Sequence, residues 1–124
     1  MDVTPVDLYA FGGPATGPPR PPRMGIDMLP DANGMVGPEP LPLPCGASLF
    51  ADPLRAPLRG NYHRLPRDIK LPAGIEVTAD GIDFINHSPH PAGHYTLYPT
   101  APMPSAVFVD AFLKLPWQFA GRKK

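Results

Sequence analysis

Proline constrains this chain more than any other residue type. It accounts for 21 of the 124 residues, and glycine for 12 more, so helices and central strands must fit into the intervals between them. Eleven of the prolines fall in the first 44 residues. That content borders on the low-complexity range, yet 43% of the residues are hydrophobic and 9% aromatic, too apolar for a solvated random chain. The length suits one domain with a modest core. The expectation is a single loop-rich domain over residues 1–124, with a proline-rich loop region over 14–44 and a helix over 104–115.

Charge and cysteine narrow the setting. Eleven basic residues balance eleven acidic ones, which disfavours a polybasic nucleic-acid module or an acidic tail. Cys45 is the sole cysteine, so no intramolecular disulfide is available. His63, His87, His90 and His94 lack zinc-ligand spacing, so no metal is expected. The first residues carry no basic region followed by an apolar run, and no apolar stretch is long enough to cross a membrane. The chain is expected to act in a cytoplasm, that of the cell producing it or of a target cell.

The apolar intervals define the elements. Val6–Phe11 reads as a buried strand ended by Gly12-Gly13-Pro14. Residues 14–23 read as extended, polyproline-like chain, and Pro18, Pro21 and Arg23 match the PxxPxR pattern of SH3 ligands. A second proline-dense stretch covers Pro38–Pro44. Asn61–Leu65 and Ile75–Ala79 read as strands, the latter closed by the turn dipeptide Asp80-Gly81 with Ile82–Ile85 as its hairpin partner. His94–Tyr98, aromatic and β-branched, is a strand bounded by Pro99. From Pro104, Val107, Phe108, Ala111, Phe112 and Leu115 recur at helical spacing, and Pro116 ends the run. Trp117 and Phe119 are expected to fold back onto the core, and Arg122-Lys123-Lys124 to form a solvated tail. The class is α+β, mostly antiparallel β.

Three clusters bear on chemistry. Arg55, Arg59, Arg64, Arg67 and Lys70 lie close together with Asp68 as the one acid among them; they form a solvated loop face or a patch attracting phosphates, RNA or an acidic protein. Ser48, following Gly46-Ala47, is a structural or capping hydroxyl, or one aimed at a ligand; it has no paired base nearby in sequence. On the His94–Tyr98 strand, His94, Thr96 and Tyr98 share one face and Tyr95 and Leu97 the other. His94 is thus a half-buried structural histidine or a hydrogen-bonding group on an inner wall. Tyr9 and Phe50 are core residues or platforms for a flat ring. The only glutamates are Glu39 and Glu76, no pair reads as general acid plus base, and no phosphate-binding glycine loop occurs.

Taken in order, the motifs DLYAF, GIDM, GMV, LPCGASLF, NYHRLP, LPAGIEV, PAGHYTLYPTAPM and KLPWQF resemble the small toxins typified by the second type VI secretion exported effector. This is an ADP-ribosyltransferase-like family with bacterial and fungal members. The likeness runs over roughly residues 6 to 120, and GASLF followed by GHYTLYP and PM is its most specific part. The resemblance implies an ADP-ribosyltransferase-like split antiparallel sheet with a C-terminal helix. It also implies NAD as substrate, transfer of ADP-ribose to a cellular acceptor, and neutralisation by a cognate immunity protein or antitoxin. Delivery by type VI secretion without a signal peptide would fit. By position, Ser48 and His94 become catalytic candidates with position 10, and Tyr9, Ala47, Ser48, Phe50, His94 and Tyr95 become cofactor-binding candidates. The family's first strand reads leucine, tyrosine, arginine, the arginine anchoring the NAD phosphates; here it reads Leu8-Tyr9-Ala10. Ala10 is either a natural degeneracy or a replacement that disarms a toxin, the second being favoured by retention of the remaining motif. In both cases the resemblance implies weak NAD binding and impaired activity. Two alternatives remain beside it: a non-enzymatic partner-binding module, and an RNA-directed transferase on the same fold.

Overall fold

A computed structural model describes residues 1–38, 46–81 and 93–124. Pro40–Pro44, Cys45 and the expected strand Ile82–Ile85 lie outside the described residues, as do Glu39, His87 and His90. The elements follow in the order β1 (Leu8–Phe11), β2 (Met35–Val36), β3 (Ala47–Phe50), β4 (Gly60–Leu65), β5 (Ile75–Ala79), β6 (His94–Pro99), β7 (Met103–Pro104), α1 (Ser105–Leu113) and β8 (Gln118–Lys123).

Six strands form one antiparallel sheet in the order β5-β6-β3-β1-β4-β8, and β2 pairs with β7 in a small second ladder. The architecture is therefore mostly antiparallel β with one short helix, as the sequence suggests. Strand alternation sorts the side chains. Leu8, Ala10, Ala47, Leu49, Val77 and Leu97 join the main core with Phe108 and Phe112 of α1. The opposite face carries a smaller cluster of Phe11, Phe50 and Ala56 with Tyr62 against it.

Three expectations are corrected. The helix runs over Ser105–Leu113 rather than 104–115, because Pro104 is spent on the β7 ladder and stands outside with ψ of 137°. Val107, expected on the buried face, is 53% exposed; with Phe108 and Phe112 setting the inward direction, it points away from the sheet. The C-terminal residues are no solvated tail: Gln118–Lys123 pairs antiparallel with β4, with a register shift between Tyr62 and His63. Lys123 Nζ further donates to the carbonyls of Ala56 at 2.5 Å and Pro53 at 3.3 Å. The proline-rich region likewise contains a paired strand, β2. Of the two aromatic residues expected on the core, Trp117 does turn back, its ring 5.1 Å from that of Phe112 and its Nε1 donating to the Phe112 carbonyl at 2.8 Å, whereas Phe119 is 46% exposed on β8 with its ring against His63.

Gly46 shows how tightly the centre is built. A β-carbon there would stand 1.9 Å from the Leu97 carbonyl oxygen and 2.9 Å from its carbon. Only glycine lets the chain enter β3 that close to β6. The N-terminal segment is stitched to residues 66–71: buried Thr4 donates its hydroxyl to the Pro66 carbonyl at 2.7 Å and accepts from the Ile69 amide at 2.8 Å.

Candidate functional site

The centre of the sheet contains a break. β1 is paired with β4 along its whole length, Leu8↔Leu65 through Phe11↔Tyr62, and β3 with β6 from Ala47↔Leu97 to Phe50↔His94. Between β1 and β3 themselves, a single register pair, Tyr9↔Phe50, joins the two. Past that rung, toward Ala10-Phe11 on one side and Ser48-Ala47 on the other, the two strands part. A cavity of about 340 Å³ lies there, within the range of small-molecule sites. Its lining mixes both faces of the sheet. Phe11, Ser48, Phe50 and His94 come from one, and Ala10, Ala47 and Phe112 from the other. A groove on one face would not gather that set; an opening between strands does.

On the β6 side the wall is held by buried hydrogen bonds. His94 Nδ1 donates to Asp80 Oδ1 at 2.6 Å, and the Thr96 hydroxyl donates to Asp80 Oδ2 at 2.5 Å. All three side chains are buried. A carboxylate only accepts hydrogen bonds, so it fixes the proton on Nδ1 and the plane of the ring. Phe50 stands edge-on to the imidazole, centroids 5.2 Å apart, and edge-on to Phe11 at 5.9 Å. Ser48 lies opposite Thr96 in the ladder and is exposed at the cavity.

The remaining wall comes from the proline-rich region, which supplies Arg20, Pro21, Pro22, Arg23 and Asp27. Asp27 is engaged by Arg23: its Oδ2 accepts from the Arg23 amide at 2.7 Å and from Nε at 3.2 Å. Within the PxxPxR pattern Pro18 is exposed, Pro21 and Arg23 line the cavity, and the intervening Pro19 and Pro22 are buried.

Of the sequence candidates, Ala10, Ala47, Ser48, Phe50 and His94 meet at the cavity. Tyr9 and Tyr95 do not. Tyr9 packs edge-on against Tyr62, centroids 6.0 Å apart. Tyr95 turns to the other face and packs on the main core, as strand alternation relative to His94 requires. Asp80 and Arg20 are among the residues at the site that the sequence did not single out. Asp80 sits in an Asp-Gly pair with the signature of a turn, and nothing local shows that its carboxyl turns inward. Arg20 follows the end of β1 by nine residues, and the Gly12-Gly13 turn brings it back against that end. Glu76, the one described glutamate, is remote from the cavity and accepts from the Met1 amine at 2.9 Å.

The basic segment is largely neutralised in place. Arg55 faces Asp52, Arg64 faces Asp7, Arg67 faces Asp68 and Lys70 faces Asp2, leaving little net field for a phosphate backbone. No helix of the described residues is long and apolar enough to cross a membrane. Compared with known proteins, the chain matches no family model, no curated protein and no solved structure.

Proposed function

We propose that this chain is a toxin domain of the ADP-ribosyltransferase type that takes NAD in the cavity between β1 and β3, with its activity impaired by alanine at position 10. The observation carrying this reading is the one-rung junction between β1 and β3, with Ala10, Ser48, Phe50 and His94 gathered at the opening beyond it. A sheet parted at its centre offers a deep slot in which a bent dinucleotide exposes its nicotinamide–ribose bond. In the transfer, that bond breaks, nicotinamide leaves with the bonding electrons, and the ribose carbon bonds to an acceptor nucleophile whose proton passes to solvent. The chain's part is positioning. His94, oriented by Asp80, hydrogen-bonds the sugar or acceptor, Ser48 presents a hydroxyl at the ribose or nicotinamide side, and Phe50 gives an aromatic edge.

The reading carries with it a cognate immunity protein or antitoxin, a cellular acceptor, and action in a cytoplasm after delivery by type VI secretion or release from an antitoxin. Inducible expression of Ala10→Arg is expected to arrest growth, and intact-mass analysis of host macromolecules to show added ADP-ribose. Undisturbed growth together with unchanged NAD in vitro refutes it. One observation favours a second reading, a partner-binding module without catalysis: Asp27, the acid at the described lining, is committed to Arg23. Harmless Ala10→Arg expression with recovery of a stable cognate partner would select that reading.

A further inference from the structure

We infer that Arg20, carried on the proline-rich loop, is the anion anchor of the cavity and makes the phosphate contact that Ala10 cannot. The inference rests on reading the cavity as a dinucleotide site and adds the residue that would hold its diphosphate.

The loop is folded back onto the end of β1 by two glycines in left-handed conformation, Gly12 at φ +98° and Gly13 at φ +80°. A β-carbon on Gly13 would lie 2.6 Å from the Pro18 carbonyl oxygen and 3.0 Å from the Arg20 nitrogen. One on Gly12 would lie 3.0 Å from Arg20 Cβ and 3.6 Å from its Nε and Cζ. The arginine side chain therefore lies directly across the glycine that follows Ala10-Phe11, and its guanidinium reaches the same opening by another route.

The turn that precedes it is held by hydrogen bonds. The Gly12 amide donates to the Asn61 carbonyl at 2.8 Å, Asn61 Nδ2 donates to the Gly13 carbonyl at 3.0 Å, and His63 Nε2 donates to the Pro14 carbonyl at 3.0 Å. Pro19 and Pro22, on either side of Arg20, are buried while Arg20 is exposed. Proline-restricted backbone below and a projecting cation above form a preorganised arrangement.

The two lining arginines differ in charge balance. Arg23 is compensated by Asp27 at 3.2 Å. Among the described residues, no carboxylate pairs with Arg20. An uncompensated guanidinium fork at a slot otherwise lined by Ser48, His94 and aromatic rings suits an anion with paired oxygens, and a diphosphate presents that geometry.

The test is calorimetric titration of the full chain, Arg20→Gln and Arg67→Gln with ADP, adenosine and inorganic pyrophosphate, thermal midpoints confirming that each variant is folded. Loss of a charge-assisted contact predicts about tenfold to hundredfold weaker ADP binding for Arg20→Gln, with adenosine unchanged. Arg67→Gln, an equal loss of charge at a residue that lies outside the cavity lining and faces Asp68, is expected to stay within about threefold of the parent. Equal ADP and pyrophosphate affinities in the parent and Arg20→Gln overturn the inference, as does absence of ADP and pyrophosphate binding to the parent. The two readings separate cleanly. Arg20-dependent ADP binding with no transfer by Ala10→Arg upholds the anchor and removes the transferase. Transfer by Ala10→Arg with affinity indifferent to Arg20 does the reverse.

Discussion

Replacing Asp80 by alanine removes the group on which one wall of the cavity hangs. In the folded chain its two oxygens accept from His94 Nδ1 at 2.6 Å and Thr96 Oγ1 at 2.5 Å, and both partners are at most 3% exposed. Hydrogen bonds to a charged group contribute about 1.5–3 kcal/mol each, and stranded buried donors cost a similar amount. Two such bonds give an expected loss of about 4 kcal/mol, a large share of the 5–15 kcal/mol typical of a domain. Urea denaturation should show it as a midpoint lower by about 2 M. Asp80→Asn is the informative companion. Its carbonyl still accepts from His94 and its amide can donate to Thr96 Oγ1, so only the charge is lost and the cost should be about 1–2 kcal/mol. A double-mutant cycle of Asp80→Ala with Thr96→Val should return a coupling above about 0.5 kcal/mol. Nitrogen shifts of the His94 ring should report a mixed tautomer in Asp80→Ala and a single one in the parent. A loss below about 1 kcal/mol for Asp80→Ala, with the His94 tautomer unchanged, would refute the reasoning.

Two further outcomes follow from the packing and the charges. Gly46→Ala places a β-carbon 1.9 Å from a backbone oxygen of β6, which no rotamer can relieve, so stability should fall by about 3 kcal/mol and amide exchange at Ala47 and Leu97 should accelerate. Gly37→Ala, where the nearest atom is Pro102 Cγ at 3.7 Å, should change stability by under about 0.5 kcal/mol. Lys70, by its hydrogen bond and charge, holds the Asp2 carboxyl below its ordinary 3.8. The ionised form is the favoured one in the fold, so this contribution is present above the unfolded value and is lost as pH falls through the folded one. Nuclear magnetic resonance titration of Lys70→Gln should show the Asp2 value moving upward; an unmoved value would dissociate the two groups.

The elements that could be read from sequence are those whose residues state their own environment. Leu8–Phe11, Ile75–Ala79 and His94–Pro99 are short apolar or β-branched runs closed by proline, glycine or Asp-Gly, and each is a strand. Phe108 and Phe112 declare the buried face of α1. β8 could not be read that way. Gln118–Lys123 is polar and mostly exposed, and its membership in the sheet comes from β4 across a register shift, a long-range pairing with no local signal. Position, rather than residue type, likewise decides the site. His94 was legible because strand alternation sets its face, and Ser48 because it follows Gly46-Ala47, whereas Asp80 was hidden in turn chemistry and Arg20 in a proline-rich stretch. Alternation also shows why Tyr95, adjacent to His94, cannot share its surroundings.

The single rung between β1 and β3 has a consequence for recognition. Where two strands part, their facing amides and carbonyls lose the partners that a continuous ladder would supply, and such groups must be met by solvent or by whatever enters. Main-chain groups alternate sides along a strand, so with Ala10 turned to β4 and Ala47 to β6 it is Phe11 and Ser48 that edge the slot with main-chain donors and acceptors belonging to the fold rather than to any side chain. Whatever side chain stands at position 10, this margin is set by the pairing of β1 with β4 and of β3 with β6. Orientation at this opening is thus a property of the strand pairing, and charge a property of the side chains around it, so the two can be altered independently by substitution.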